Sequence, residues 1–157
     1  MKLQFLCVAH REQLHTNVGK AIQLWQVGFD TGQFYRDHLM WHDAISHLGC
    51  AFETAEILLT NKHLEHELSC EWFTSSAMLL ASTFININSH RQAEEIIWMT
   101  INRLEKELVD NSQSNTWINR YLEQIYSQLS SLVTTVSIDK RQGHQDQRAM
   151  EAVASIH

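Results

Sequence analysis

Histidine could carry more chemistry than any other residue type in this 157-residue chain, which contains ten histidines. His38 and His42 have the spacing that puts two imidazoles on one face of a helix, as zinc sites use. A metal site needs at least a third ligand, and His47 points to a different side of the same predicted helix. The sequence therefore predicts no metal site. A metal-binding helical bundle that uses His38 and His42 is the alternative.

The chain has three cysteines, and two of them have a histidine nearby. His47 precedes Cys50, and His66 precedes Cys70, by about one helical turn. Reactive thiols usually lie at helix N-termini or beside cations in a cleft, whereas these two lie within apolar helical patterns. The chain also lacks the GxSxG, P-loop and GxGxxG motifs. We therefore expect buried, unreactive thiols, no catalytic residues, no cofactor and no enzymatic activity.

Aromatic and methionine side chains are the candidates for binding a partner. Four of them lie away from the apolar stripe of their predicted helix, and exposed residues of these types are over-represented at protein interfaces. The predicted partner-binding residues are Trp72, Trp98, Met99 and Trp117. The alternative for Trp98 is packing against a neighbouring helix of the same domain.

Helices are the elements that must position these side chains. The chain has no proline, and the run from Cys50 to Gln142 contains no glycine. Apolar residues recur at spacings of three and four, which predicts helices over about 4–28, 34–60, 64–87 and 91–109, and a fifth over Ile118 to Val136. A turn is expected at Asp30 to Gly32. The fold class is all-α, with five or six antiparallel helices arranged as stacked helical hairpins or as an up-down bundle.

The same pattern predicts how the helices are organised. The third predicted helix is apolar on two faces and is expected to be central. Gly49, within the second, is interpreted as a position where another helix comes close. Residues 1–137 are interpreted as a single all-helical domain, and residues 138–157 as a polar C-terminal tail or a loosely docked short helix.

The chain contains an internal repeat. Leu48 to Phe52 aligns with Leu80 to Phe84 at an offset of 32 residues, and Val18 to Ile22 is a weaker third copy. Periods of this size are typical of stacked helical hairpins. The run from Leu80 to Leu104 resembles a tetratricopeptide repeat: Leu80 and Ala81 occupy its leucine and small-residue positions, Phe84 its aromatic position, and Ala93 the alanine that opens the second helix. The resemblance implies stacked helical hairpins that serve protein interaction.

Composition limits the partners and the compartment. Twelve Lys and Arg against eighteen Asp and Glu give a formal net charge of −6 with histidine neutral. A phosphate backbone would be repelled, so nucleic acid is not an expected partner. The apolar run from Phe5 to Ala9 is too short for a secretory signal, and no run approaches the roughly twenty apolar residues of a membrane span. An odd number of cysteines without a CxxC pair fits a reducing compartment. We expect a soluble cytoplasmic protein with no nucleic-acid or membrane partner.

These features favour a non-enzymatic protein–protein interaction module, an adaptor or small cytoplasmic chaperone similar to tetratricopeptide-repeat proteins. Its protein or peptide partner would lie in a groove between the predicted helices 34–60, 64–87 and 91–109. A homodimer is also compatible with the exposed aromatic residues. Two other classes stay open, namely the metal-binding bundle and a structural, self-assembling bundle.

Overall fold

The computed structural model describes residues 3–111 and 115–156, and every regular element within these ranges is a helix. The all-α prediction is therefore confirmed. Short connections join consecutive helices, so neighbours in sequence lie side by side and antiparallel. The six helices are α1 (Val8–Thr16), α2 (Val18–Asp37), α3 (Trp41–Asn61), α4 (His66–Asn86), α5 (His90–Asp110) and α6 (Asn115–Ala154).

The helices form an open stack in two layers. One layer contains α2, α4 and α6, and the other contains α3 and α5, with α1 packed on α3. Arg36 of α2 donates to the carbonyl oxygen of Leu79 at 3.1 Å, and Gln128 of α6 donates to that of Met78 at 2.8 Å. The central position predicted for α4 is therefore confirmed. Within the described residues α2 and α6 share no extensive contact, as expected of stacked hairpins and not of a closed bundle.

The hydrophobic core lies between the two layers. Phe52 of α3 stacks on Phe73 of α4, with ring centroids 5.1 Å apart. The largest fully buried side chains come mainly from α3, α4 and α5, and they include Leu48, Phe52, Leu58, Phe73, Leu80, Ile96, Ile97, Ile101 and Leu104. Helix formation in this chain is thus driven by apolar stripes that face a common core.

The first predicted helix, 4–28, is wrong. In the structure this part of the chain forms a non-helical segment, the short helix α1 and the first half of α2. Asn17 separates the two helices with φ −133° and ψ 91°. Its side-chain oxygen accepts the backbone N–H of Lys20 at 3.0 Å, which caps α2. Apolar residues keep their helical spacing across Asn17, so periodicity could not locate the break.

The predicted turn at Asp30 to Gly32 is also wrong, because these residues lie inside α2. The chain turns between α2 and α3 at His38 to Met40, where Leu39 has φ 58°. Gly32 is required by helix packing instead: a Cβ at this position would lie 2.5 Å from Cγ of Leu48 on α3. Glycine here permits the close approach of two helices.

The predicted helices 64–87 and 91–109 agree with α4 and α5 to within two residues. The 32-residue offset, however, relates α3 to α4, which are neighbouring antiparallel helices. Hairpins begin at Val18 and His66, a period of 48 residues, against about 34 in tetratricopeptide repeats. Phe84 near the end of α4 and Ala93 near the start of α5 do lie on either side of a helical turn. The arrangement is thus compatible with stacked hairpins that have longer helices.

The C-terminal half of α6 extends beyond the rest of the stack. His90 on α5 and Asp139 on α6 have an Nε2 to Oδ2 distance of 3.7 Å, and all described residues after Ser137 are exposed. Residues 138–154, predicted as a tail or a short helix, are the continuation of α6. Among the described helices none is both long and apolar enough to cross a membrane.

Candidate partner-binding site

Trp72 packs against α2. Its ring stacks on Trp25 with centroids 4.0 Å apart and an interplanar angle of 3°. Trp25 in turn donates its indole N–H to Oγ of Ser76 at 2.8 Å. The two tryptophans therefore join α2 to α4, which explains why Trp72 lies on the second face of its helix.

Trp98 is the most exposed of the tryptophans predicted to bind a partner, with 41% of its surface accessible. On α6, Tyr126 donates to Glu105 of α5 at 2.9 Å. Glu105 lies two turns after Trp98, and Val133 lies two turns after Tyr126. Since α5 and α6 are antiparallel, Val133 lies on the same edge of the stack as Trp98. Trp98, Tyr126 and Val133, all exposed, form an apolar edge that we call the Trp98 strip.

Trp117 belongs to a polar cluster at the junction of α4, α5 and α6. Its indole N–H donates to Nδ1 of His66 at 3.3 Å, and Nε2 of His66 lies 3.0 Å from the carboxylate of Glu107. Glu107, which is 4% exposed, also accepts from Arg103 at 3.0 Å. The Sγ atom of Cys70 lies 3.8 Å from Nε2 of His66. These are the residue types of a Cys-His-Glu nucleophilic site.

The hydrogen bonds of the cluster do not suit a nucleophile. Indole N–H is a donor only, so Nδ1 of His66 accepts and the neutral ring carries its hydrogen on Nε2. That hydrogen is donated to Glu107, which leaves Nε2 without a lone pair to accept the Cys70 proton. Burial, together with the negative charge of Glu107, raises the pKa of Cys70 to about 12. The arrangement holds a protonated thiol and joins three helices.

His38 and His42 do not share a helical face, so that prediction is wrong. His38 follows the last residue of α2, with Nδ1 2.8 Å from the carbonyl oxygen of Phe34, and His42 lies in the first turn of α3. The turn between the helices separates the two imidazoles. Among residues 3–111 and 115–156, no three His, Cys, Asp or Glu side chains are arranged to hold a metal ion.

A non-helical segment, Leu3 to Cys7, lies across α3 and α5, and we call it the arm. Its backbone is held by two carboxylates. The N–H groups of Phe5 and Leu6 donate to the two oxygens of Glu53 at 2.9 and 2.7 Å. The N–H of Leu3 donates to Glu95 on α5 at 3.0 Å. Consecutive N–H groups of an extended strand point to opposite sides, so the N–H groups of Phe5 and Leu6 both reach Glu53 because the chain bends at Leu6.

Two apolar contacts complete the site. A Cβ on Gly49 would overlap the ring of Phe5, so the ring occupies the space left by the missing side chain. Leu6 is 6% exposed. Cys50 donates its S–H to the carbonyl oxygen of Phe5 at 3.8 Å. The surface that receives the arm is named the arm groove and consists of Gly49, Cys50, Glu53 and Glu95.

Glu53 is also the anchor for α1. It is 4% exposed and pairs with Arg11 at 3.0 Å. One buried carboxylate thus accepts two backbone N–H groups and a guanidinium, which satisfies its charge. Removing it would leave all three donors without that acceptor.

A groove between the predicted helices 34–60, 64–87 and 91–109 was expected, whereas the arm groove lies on α3 and α5. Its occupant and its residues were not predicted. Met99 lies one turn after Glu95 on the same face of α5, with Trp98 beside it, whereas Trp72 and Trp117 belong to other faces. Gly49 was interpreted as a helix contact, yet it contacts the Phe5 ring. The sequence feature that could have indicated the arm groove is a glycine inside a helix followed one turn later by a glutamate, here Gly49 and Glu53.

Comparison with known proteins finds no matching family model, no matching curated protein and no matching solved structure.

Proposed function

We propose that the protein is a non-enzymatic protein–protein interaction module that binds a non-helical polypeptide segment in the arm groove. The observation that carries this proposal is the arm itself, a non-helical segment held by three of its backbone N–H groups. Backbone recognition does not depend on the sequence of the bound segment. Another chain can therefore make the same hydrogen bonds.

Specificity then comes from side-chain contacts. The space above Gly49 accepts a flat aromatic ring, and the next position accepts a leucine-sized side chain, as Leu6 shows. A partner segment is therefore expected to contain an aromatic residue followed by an aliphatic one. A carboxylate at the first of these positions would be repelled by Glu53.

The arm competes with any partner. It is tethered next to the groove, and short tethers give effective concentrations in the millimolar range. A partner must therefore bind more tightly than the arm or be present when the arm has left. The affinity of the arm for the groove therefore sets the minimum affinity that a partner needs.

The wider class proposed is an adaptor or small chaperone of the tetratricopeptide-like type, located in the cytoplasm. Its support is the open stack of helical hairpins and the free thiols of Cys7, Cys50 and Cys70, which suit a reducing compartment. No observation favours the alternative metal-binding function, since the His38 and His42 pair does not share a face.

A fluorescent peptide that spans residues 2–16 tests the proposal. Phe5→Ala in the protein weakens the resident arm and leaves the groove unchanged, so the peptide should bind this variant about 30-fold more tightly than wild type. The same peptide carrying Phe5→Ala is the matched control and should bind weakly to both proteins.

Glu53→Gln is the second test, because an amide offers one acceptor oxygen where the carboxylate offers two. In the Phe5→Ala background it should weaken the wild-type peptide about tenfold. Equal peptide affinity for wild type and Phe5→Ala, or no effect of Glu53→Gln, would show that the groove does not bind segments from outside the chain.

A further inference from the structure

We propose that the other chain is a second copy of this protein, and that two copies exchange residues 3–16, the arm together with α1. This rests on the proposed function, since it supplies the arm groove with a segment from another molecule. Each copy would insert residues 3–16 into the groove of its partner and receive the same residues in return. The product is a closed dimer with twofold symmetry.

The contacts of residues 3–16 are directed mainly at α3 and α5. Arg11 pairs with Glu53. His15 and Asn61 of α3 exchange two hydrogen bonds, at 3.1 Å between side chains and 3.2 Å from Asn61 to the His15 carbonyl oxygen. Leu14 of α1 is 1% exposed. A second copy can make all of these contacts with the same geometry, because it presents an identical segment.

One residue separates the exchanged unit from the rest of the chain. Asn17 is extended between two helices, and its side chain caps α2. If Asn17 became helical, α1 and α2 would join into one helix of 30 residues, Val8–Asp37, about 45 Å long. Residues 3–16 would then project away from their own groove. The apolar spacing of Leu14, Val18 and Ala21 supports this continuous helix as well as the broken one.

The arm groove already fits this occupant. Phe5 fills the space at Gly49, Leu6 is buried, and each arm N–H named above has its carboxylate. Exchange replaces these contacts by equal ones, so the change is confined to the hinge at Asn17 and to the packing of α1 on α2, which includes the contact of Gln13 with Lys20 at 3.2 Å. The balance between monomer and dimer is therefore controlled at Asn17.

Asn17→Ala tests this inference, because it removes the cap of the broken state and favours the continuous helix. Loss of one such cap shifts a helix equilibrium about fivefold, and two hinges per dimer give about 25-fold tighter dimerisation. Asn17→Asp, which keeps a capping oxygen, is the matched control and should behave like wild type. Asn17→Gln should reproduce Asn17→Ala if the alanine variant does not fold.

The readouts are light scattering across a concentration series and co-purification of an untagged copy with a copy tagged at the C-terminus. We expect dimer in Asn17→Ala and the same dimer in Asn17→Ala/Phe5→Ala, since the Phe5 contact is equal in the closed monomer and in the exchanged dimer. A monomer in both Asn17→Ala and Asn17→Gln, or a dimer that Phe5→Ala abolishes, would overturn the exchange. Peptide binding to the Phe5→Ala protein would still be observed in that case, so failure of the exchange is separable from failure of the proposed function.

Discussion

Replacing Gly49 by alanine should release the arm. Gly49 lies inside α3, and no glycine in the described residues has a positive φ, so the helix backbone accepts alanine. In an open helical position this substitution stabilises by about 1 kcal/mol through helix propensity. At Gly49 the new Cβ would overlap the Phe5 ring, and the ring must leave its site.

The expected magnitude follows from these two opposing effects. Burying a phenylalanine completely is worth about 1.5–3 kcal/mol, and the half-buried Phe5 contributes about 2 kcal/mol when its backbone bonds to Glu53 are included. The gain in helix propensity offsets about 1 kcal/mol of this loss. Gly49→Ala should therefore lower the free energy of unfolding by about 1 kcal/mol.

Gly143→Ala is the matched control. It also replaces a helical glycine, and its Cβ would meet no atom within 4 Å among the described residues. It should leave the free energy of unfolding of the stack unchanged, because Gly143 lies in the exposed end of α6, so the two variants should differ by about 1 kcal/mol.

Urea denaturation followed by tryptophan fluorescence measures the stability difference, and amide hydrogen exchange at Phe5 and Leu6 reports on the arm directly. In Gly49→Ala these two amides should lose protection while amides within α4 keep theirs. Stabilisation by Gly49→Ala, with the Phe5 and Leu6 amides still protected, would refute the assignment of Gly49 as the arm site.

Three further outcomes are expected. Trp25→Ala should lower the free energy of unfolding by about 3–5 kcal/mol and Trp98→Ala by less than about 1 kcal/mol, because the first is buried; similar losses in denaturation curves would contradict this. The pKa of Cys70 is raised to about 12, so as the pH rises the thiol ionises in the unfolded chain before it ionises in the folded protein. The contribution of Cys70 to the free energy of unfolding is therefore fully present below about pH 9. It falls by up to about 1.4 kcal/mol per pH unit from there towards pH 12. Cys70→Ala should reduce this slope in alkaline unfolding curves and leave the part due to Cys50, whose pKa is also raised by burial; an unchanged slope would exclude Cys70 as a source. A thiol reagent at neutral pH should modify the exposed Cys7 quickly in the folded protein, whereas Cys70 should react only after unfolding; fast reaction of Cys70 would contradict its burial.

Helices whose apolar stripes end at clear polar turns were predictable. α4 and α5 were located to within two residues because Asn and Ser residues interrupt the pattern at both ends. The break at Asn17 was not predictable from periodicity, because the stripe continues across it and the break depends on how α1 packs against α3. The turn at His38 to Met40 was missed for a related reason, since Gly32 resembles a turn residue but serves the α2 to α3 contact.

The site was harder to predict than the fold. The chemistry that holds the arm lies in ordinary residues, two glutamates and a glycine, and becomes visible only when α3 and α5 lie side by side. Trp72 and Trp117 were predicted to lie off the main apolar stripe of their helices. In a stack each helix has several neighbours, so a tryptophan outside the main stripe can still pack against another helix. Trp98 and Met99 lie on α5 near Glu95, and their role in binding stays a prediction.

The long exposed end of α6 has a consequence for how this helix melts. From Lys140 onward its side chains are exposed, so its helical state is sustained by propagation from the docked turns before it. The helical order of this end therefore has no nucleus of its own. A substitution that loosens the docked part of α6, such as one at the buried Leu132, should cause the distal turns to melt at a lower temperature than the stack. A helix-breaking substitution inside the distal turns should leave the stability of the stack unchanged.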